Sequence, residues 1–544
     1  MKLDNVRVLR GPNRWHQKPV LEIDVELEVA DDVLTSAAEL DKLRVVLGAT
    51  GAPSETGALA GELLAARVYE LTLRTLLERS GAGGGFSLTV NSQKARTAKV
   101  MVAYREEAVG KAAAEAAQSL LNRYVRGQAV EVVQAIETLR LLDEDVRLGP
   151  STGSITRAAE ARGIPTVRMN TGSLVRLGQG ARQRRILAAE IDSTSTIAEN
   201  IAQDKELTKE LLRSIGVPVP RGRVVTDAKD AWKAATEIGG PVVVKPQYGN
   251  QGRGVAVNLS SQSAVEAAFD AAQQEGSSIL VESHCPGFDH RLLVVGGEVI
   301  AAARRDPPHV RGDGVRTINE LVAEANRDPR RGDDHATSLS KLRVDDIAKA
   351  VLTEQGLRPE SVPERGRVVL LRRNGNLSTG GSATDVTESV HPEVAARAVD
   401  AARMVGLHIA GVDVVCLDVS VPLEAQNGAI VEVNAAPGLR MHLDPTHGTS
   451  RPVGESIVGL MFAPGDTGRI PVVAITGNNG KTTTTQLMGH LFATQGLCVG
   501  MTTTEGIYVG KERIDTGDCS GPRSARTVLA HPLVEAAVLE TARG

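Results

Sequence analysis

Toward its end the chain reads IPVVAITGNNGKTTTT over residues 470–485, and few stretches of this length leave a backbone less choice. The apolar run Ile470–Ile475 has the length of a buried strand, two glycines follow, and a helix is predicted from Lys481. A strand that runs through a glycine turn into a helix N-terminus requires an α/β layer, and it gathers backbone N–H groups around an anion. Gly477 and Gly480 let the loop curl toward a phosphate, Lys481 has the reach for the β- and γ-phosphates, and Thr482 or Thr483 has the hydroxyl for Mg²⁺. Ile475 stands where the longer GxxxxGK motif has its first glycine. A glycine-rich turn before an ordinary helix is therefore the alternative reading.

That motif occupies a small part of a chain of 544 residues, a length that implies three or four domains. The composition is that of a soluble globular protein, with 42% hydrophobic and 24% charged residues. Only 2% are aromatic, so the cores must be built from Ala, Val, Leu and Ile, and base stacking on aromatic side chains is disfavoured. A net charge of −4 offers no bulk attraction to nucleic acid or an anionic membrane. The four cysteines are scattered without a CxxC pair, and no apolar run is long enough to span a bilayer. A reduced, cytoplasmic protein with neither nucleic-acid nor membrane partners is expected.

Texture divides the rest of the chain. Up to residue 148 the alternating VLEIDVELEV (20–29) predicts a half-buried strand, and Gly61–Ser80 and Gly110–Val125 have helical periodicity. From Gly149, GPSTGSI reads as a loop entering a helix, with Ser151 or Thr152 available as its cap. Strands are predicted at 165–170, 241–245, 278–283, 292–295, 299–305, 368–373, 410–419 and 429–434, with a helix over Asp204–Ile215. The Gly-, Asp- and Arg-rich segment Arg311–Asp346 reads as a surface excursion with a short helix at Ile318–Asn326.

A second phosphate site is expected in VVVKPQYGNQGRGV (242–255). Lys245 ends a strand, and the glycine loop Gly249, Gly252 and Gly254 suits closure over a nucleotide; a hairpin turn is the alternative. In IVEVNAAPG (430–438), Glu432 and Asn434 lie two apart on a strand and share a face, with the hard oxygens that Mg²⁺ prefers. Asp413, on the preceding strand of a possible hairpin, adds a third oxygen ligand.

Lys205, Lys245 with its glycine loop, Glu282 and the Glu432/Asn434 pair followed by Ala-Ala-Pro-Gly resemble the ATP-grasp ligases, such as D-alanine–D-alanine ligase. More closely, the chain is similar to the cyanophycin synthetase family. The ordered series LRGPNRW (9–15), SLVRLGQGARQRRI (173–186), DKELTKELL (204–212), RRDPPHVRGDG (304–314), EVNAAPGLRMHL (432–443), TGNNGKTTTT (476–485) and VLETARG (538–544) carries that resemblance. It implies a multidomain α/β and α+β architecture. Residues 1–148 would be an N-terminal α+β, polymer-binding-like domain, 149–468 an ATP-grasp ligase domain, and 469–544 the start of a P-loop Mur-ligase-like α/β domain.

The activity implied is ATP- and Mg²⁺-dependent amide-bond formation. The first module phosphorylates the polymer's C-terminal carboxylate and aspartate attacks the acyl phosphate; the Mur-like module then joins arginine to the aspartate side chain. Amino acids and a peptide polymer or primer are the partners, in a homo-oligomer. By the same resemblance Lys205 and Lys245 contact nucleotide phosphates, Glu282 meets the adenine and Asp289 the ribose. Asp413, Glu432 and Asn434 bind Mg²⁺, while Ser151, Asn170 and Ser173 grip the polymer's main-chain end. Arg304 and Arg305 either stabilise the transferring phosphate or are exposed ion-pairing arginines. In the second module Lys481 and Thr482 serve the phosphate loop, with Glu540 as a further Mg²⁺ ligand.

Three departures from the family pattern bear on specificity. GELLAARVYELTL (61–73) replaces an EHVALEL-like helix, Gln251 replaces the histidine of GNHGRG, and Gln179 replaces a tyrosine in LGQG. They keep open a single-step ATP-grasp peptide ligase, or a polymerase of a different amino acid, as well as a non-catalytic polymer-binding scaffold. The stretch after Arg469 is too short for a whole Mur-type module, so the chain is expected to be a fragment of a longer protein or a truncated form, unable to carry out the second reaction.

Overall fold

The computed structural model describes residues 1–48, 62–92, 94–248, 254–328, 330–332 and 339–542. The chain divides into two units, Met1–Arg147 and Leu148–Gly544.

In the first unit four antiparallel strands lie in the order Lys2–Leu9, Val20–Glu26, Thr97–Tyr104, Gly83–Asn91. The helices Glu62–Arg79, Glu107–Val125 and Val132–Val146 share a core with the sheet, in which Ile23, Val25, Tyr69, Leu73, Ala113 and Leu121 are buried. The Val20–Glu26 strand is more buried than its alternation predicts. Glu22 is 1% exposed because the opposite face is also covered: the Trp15 indole N–H and the Arg14 guanidinium donate to its Oε2 at 2.6 and 2.8 Å.

The second unit is built around two antiparallel sheets, so its strand-and-helix alternation yields α+β layers there rather than parallel ones. In one sheet Ala256–Leu259, Val242–Pro246, Ile279–Ser283 and Gly222–Val225 are neighbours in that order. Alternation sends Val242, Val244, Ile279 and Val281 into a core with the helices Ala228–Ile238 and Gln262–Gln273. Val243, Lys245, Leu280 and Glu282 therefore take the other face.

The other sheet has the order Ser382–Asp385, Glu298–Asp306, Phe288–Val295, Ile409–Cys416, Ala429–Asn434. Both its faces are covered, which is why its strands read as continuous apolar runs. Leu292, Val294, Val412 and Val414 pack with helix Pro392–Val405. Leu293, Val295, Ala301 and Ile409 pack with residues of helices Pro150–Ala161 and Val453–Met461. At one end this second face changes from apolar to charged, and there it carries Asp289, Arg291, Arg305, Asp413 and Glu432.

Two local expectations need correction. The helix after Leu148 begins at Pro150 with Gly149 at its N-cap, so neither Ser151 nor Thr152 caps it; proline suits that first position because it lacks the N–H that would go unpaired. The excursion after Arg311 has a core of its own, in which Val310, Ile318, Leu321, Leu352, Leu357 and Val369 are buried together.

The last segment places Val472–Ile475, Ala536–Glu540 and Val499–Thr503 side by side and parallel, with an antiparallel extension through Gly506–Val509 and Glu512–Thr516. Helix Lys481–Thr494 starts at the predicted residue. No described helix is long and apolar enough to cross a membrane.

Candidate active site

Helix Lys205–Ser214 opens on Asp204, whose carboxylate accepts the N–H groups of Glu206 and Leu207. The same carboxylate accepts from Gln247 Nε2 at 2.8 Å and Tyr248 Oη at 3.2 Å. The helix start is thereby stitched to the segment just beyond Lys245. Lys205 and Lys209 lie four apart, on one side of the helix. Lys205 Nζ stands 3.4 Å from Glu432 Oε1, and Lys209 Nζ pairs with Glu282 Oε2.

Lys245 and Glu282 are diagonal neighbours on one face of their sheet, and Lys245 Nζ lies 2.5 Å from Glu282 Oε1. Glu282 thus carries a lysine on each oxygen, and all three residues are at most 8% exposed. Burial pulls the Lys209 ammonium down, and Lys245 adds to the pull against the attraction of Glu282, leaving it at about 8. Burial acts on Lys245 the same way, but Glu282 and Glu432 outweigh it and hold that ammonium above its ordinary range. A cavity of about 290 Å³ opens beside Lys209 and Glu282, between the helix and the strand that begins at Gly222.

On the second sheet Asp413 is opposite Glu432, and Gly411 is opposite Asn434, whose Nδ2 donates to the Gly411 carbonyl at 3.3 Å. The expected hairpin pairing of Asp413 with Glu432 is present. Asp413 is shared by two guanidiniums, Arg291 and Arg305, with Arg305 Nη2 at 3.0 Å; Arg305 also holds Asp289 Oδ1 at 2.6 Å. Burial pushes the Asp413 carboxyl up, but the two arginines outweigh it and keep it below the usual carboxylate range. The two adjacent arginines part company: Arg305 is an interior residue, while Arg304 is partly exposed, pairs with Asp306 and lies over the Phe288 ring at 5.2 Å.

Ser151 Oγ accepts from the Leu439 N–H at 2.9 Å, which brings it to the turn after Asn434. Asn170 and Ser173 sit in the hairpin turn between Thr166–Arg168 and Leu174–Leu177, where Asn170 Oδ1 accepts from Leu174 N. Gly254 adopts φ +66°; Gly249, Gly252 and Gln251 lie outside the described residues. Gln179 is not among the lysines and carboxylates. Its N–H donates to the Gly468 carbonyl at 2.8 Å, in the seam between the Leu174–Leu177 hairpin and the parallel sheet.

In the parallel segment Gly477 and Gly480 adopt φ +154° and +76°, conformations that glycine alone takes readily. Lys481 heads the helix. Thr482 Oγ1 donates to Glu540 Oε2 at 2.9 Å, and Thr504 N–H donates to the same oxygen at 3.3 Å. Glu540 is 2% exposed and comes from the strand beside Ile475, at the end where the loop begins.

Among the described residues no three His, Cys, Asp or Glu side chains converge as a metal cage. The oxygens of Asp413, Glu432 and Asn434 fit Mg²⁺ in another way, since that ion is held by one or two carboxylates together with phosphate oxygens. Lysines and arginines alongside supply the positive charge that bound phosphates require. Sequence reasoning missed Lys209 and Arg291. The four-residue spacing of Lys205 and Lys209 was a signal for the first; for the second it was an arginine abutting the apolar run 292–295.

The signature of the ATP-grasp domain matches residues 198–309, and that of the Mur ligase middle domain matches residues 475–544. Over its whole length the chain is 40% identical to the cyanophycin synthetase of Trichormus variabilis, of which it spans 62%. It is 35% identical, over 51% of its length, to 36% of the glutathione biosynthesis bifunctional protein GshAB of Clostridium perfringens. Among solved structures it resembles a bifunctional glutathione synthetase from Pasteurella multocida, with a TM-score of 0.46 and 24% identity over 79% of this chain and 58% of that one.

Proposed function

We propose that this chain, which joins an ATP-grasp domain to Mur ligase middle-domain sequence and is similar along its whole length to cyanophycin synthetases, is an ATP-dependent ligase that extends a peptide polymer by one amino acid at its C-terminal carboxylate. The observation that carries this reading is the pairing of cations with carboxylates at the two sheets. Lys245 and Lys209 meet Glu282 on one, Lys205 meets Glu432 beside Asp413 on the other, and Asp204 ties the helix to the strand that bears Lys245.

A carboxylate is a poor electrophile, and transfer of a phosphoryl group from ATP makes it a mixed anhydride that an amine can attack. Such chemistry asks a protein mainly to position charges and exclude water. Here Lys205 and Lys245 neutralise nucleotide phosphates. Asp413, Glu432 and Asn434 would hold Mg²⁺, which would neutralise charge developing on the transferred phosphoryl group. Arg305, fixed between Asp289 and Asp413, presents positive charge where the phosphoryl group moves. Ser151 stands at the turn after Asn434, where a main-chain end would be gripped. Aspartate is the incoming amino acid. Arginine is joined by the Mur-type domain of the whole protein through the loop at Gly477–Thr482.

The test is amino-acid-dependent ADP release with a short β-Asp-Arg primer, each common amino acid in turn, and Glu432→Ala as control. Turnover with aspartate that the variant lacks is the expected result. Turnover with a different amino acid only would retain the ligase and discard the polymer. No nucleotide turnover with any of them, at saturating primer, would discard the ligase reading.

A further inference from the structure

Glu282 is 3% exposed and is met by two lysines from different elements, Lys245 on its own sheet and Lys209 on the helix that follows Asp204. One buried carboxylate needs one cation; the second lysine is surplus unless one of the two has work elsewhere. Lys245 has it, since it stands one residue before the end of its strand, just ahead of the glycine-rich stretch in the sequence. On the ligase reading, nucleotide phosphates would draw Lys245 away from Glu282, with which it is paired here. Removing the only partner of a buried charge is unfavourable, and that cost would be subtracted from nucleotide affinity.

We propose that Lys209 is a positioning residue for nucleotide binding: it holds Glu282 Oε2 permanently, so that Lys245 can leave Oε1 for a phosphate oxygen without stranding a buried carboxylate. This rests on the ligase reading above. The geometry suits the role. Lys209 is on the second turn of a helix whose start is fixed to Gln247 and Tyr248 through Asp204, so the Glu282-bound lysine is anchored to the strand end that carries the moving one. The Lys209 side chain is 6% exposed and is committed to Glu282 at its tip. Its ammonium is pulled down to about 8 by burial first and by Lys245 second, and departure of Lys245 toward phosphate would relieve the second of these.

The experiment is calorimetric titration of the full chain with Mg·AMPPNP, in a Lys481→Ala background so that only the first site is read. The parent, Lys209→Met, Lys209→Arg, Glu282→Gln and Lys209→Met/Glu282→Gln are compared. Lys209→Met is expected to lose at least tenfold in affinity and Lys209→Arg to stay within threefold of the parent. The double variant is expected to bind like Glu282→Gln alone, because an amide needs no cation. In turnover the Lys209→Met defect falls on the KM for ATP rather than on kcat. Lys209→Met binding as tightly as the parent overturns the inference. So does a double variant weaker than Glu282→Gln by more than threefold, since the lysine would then act through something other than Glu282. That comparison also decides if Lys209→Met fails to fold. A parent that binds no nucleotide overturns the ligase reading, and this inference with it.

Discussion

His442 is the residue whose chemistry the interior constrains most. It lies in the short helix Arg440–Leu443, is 2% exposed, and neither ring nitrogen has a hydrogen-bond partner among the described residues. Burial, with Arg291 and Arg305 nearby and outweighing Asp385, pushes its imidazole down from 6.5 to about 3. Between those two values the unfolded chain binds a proton at this residue and the folded chain does not. The unfolded state is favoured by acid, so stability contributed by the neutral ring is complete above pH 6.5 and is lost as the pH falls toward 3. The limiting slope is about 1.4 kcal/mol per pH unit, and because the unfolded ring is only half protonated at pH 6.5 the loss between pH 6.5 and pH 4.5 is about 2.3 kcal/mol. Replacing His442 with Leu, of similar volume, removes the proton site. Urea unfolding of both proteins at pH 7.5, 6.5, 5.5 and 4.5 separates this contribution, because all other titrating groups cancel in the difference. The wild type minus variant stability should be nearly flat from pH 7.5 to 6.5, then fall by about 2.3 kcal/mol in all by pH 4.5. A difference that stays constant down to pH 4.5 would refute the reasoning and require that the folded protein protonate His442 freely.

Three further substitutions probe the parallel segment and what packs against it. A Cβ on Gly180, at φ +52°, would collide with the Val534 carbonyl and approach Ile470 Cδ1 to 2.9 Å, whereas one on Gly163, at φ +73°, would meet nothing within 4 Å. Gly180→Ala should therefore cost roughly 2–4 kcal/mol in thermal unfolding against about 1 for Gly163→Ala, and equal costs would mean the seam yields. Glu540→Ala leaves the Thr504 N–H without its acceptor and Thr482 Oγ1 with the Thr504 hydroxyl at 3.3 Å, which should cost about 1–3 kcal/mol in chemical denaturation; an unchanged midpoint would show that water replaces the carboxylate.

What the sequence discloses here is whatever is settled within a few residues. Gly477 and Gly480 announce positive φ, Lys481 the helix start, and Glu432 and Asn434 a shared strand face, because each depends on neighbours already in view. Lys209 and Arg291 depend on partners far along the chain. In DKELTKELL a lysine four residues after another looks like the solvated side of a helix, and only Glu282, 73 residues on, makes it an interior group. Arg291 extends the predicted strand 292–295 back to Phe288 because Asp413, 122 residues away, neutralises it inside the sheet. Gln179 shows the same limit from the other side. Its change from a ring to an amide invited a reading in terms of substrate choice, yet its N–H bonds Gly468, the Ala181 N–H bonds the Val534 carbonyl at 2.7 Å, and Gln183 Nε2 reaches the Ala530 carbonyl at 3.1 Å. Gly178 and Gly180 both have positive φ, and each lets another backbone come within its own Cβ distance. The LGQGARQ segment is therefore constrained by close backbone packing against the segment that carries Gly468, Ala530 and Val534, and that packing accounts for its glycines without reference to any substrate.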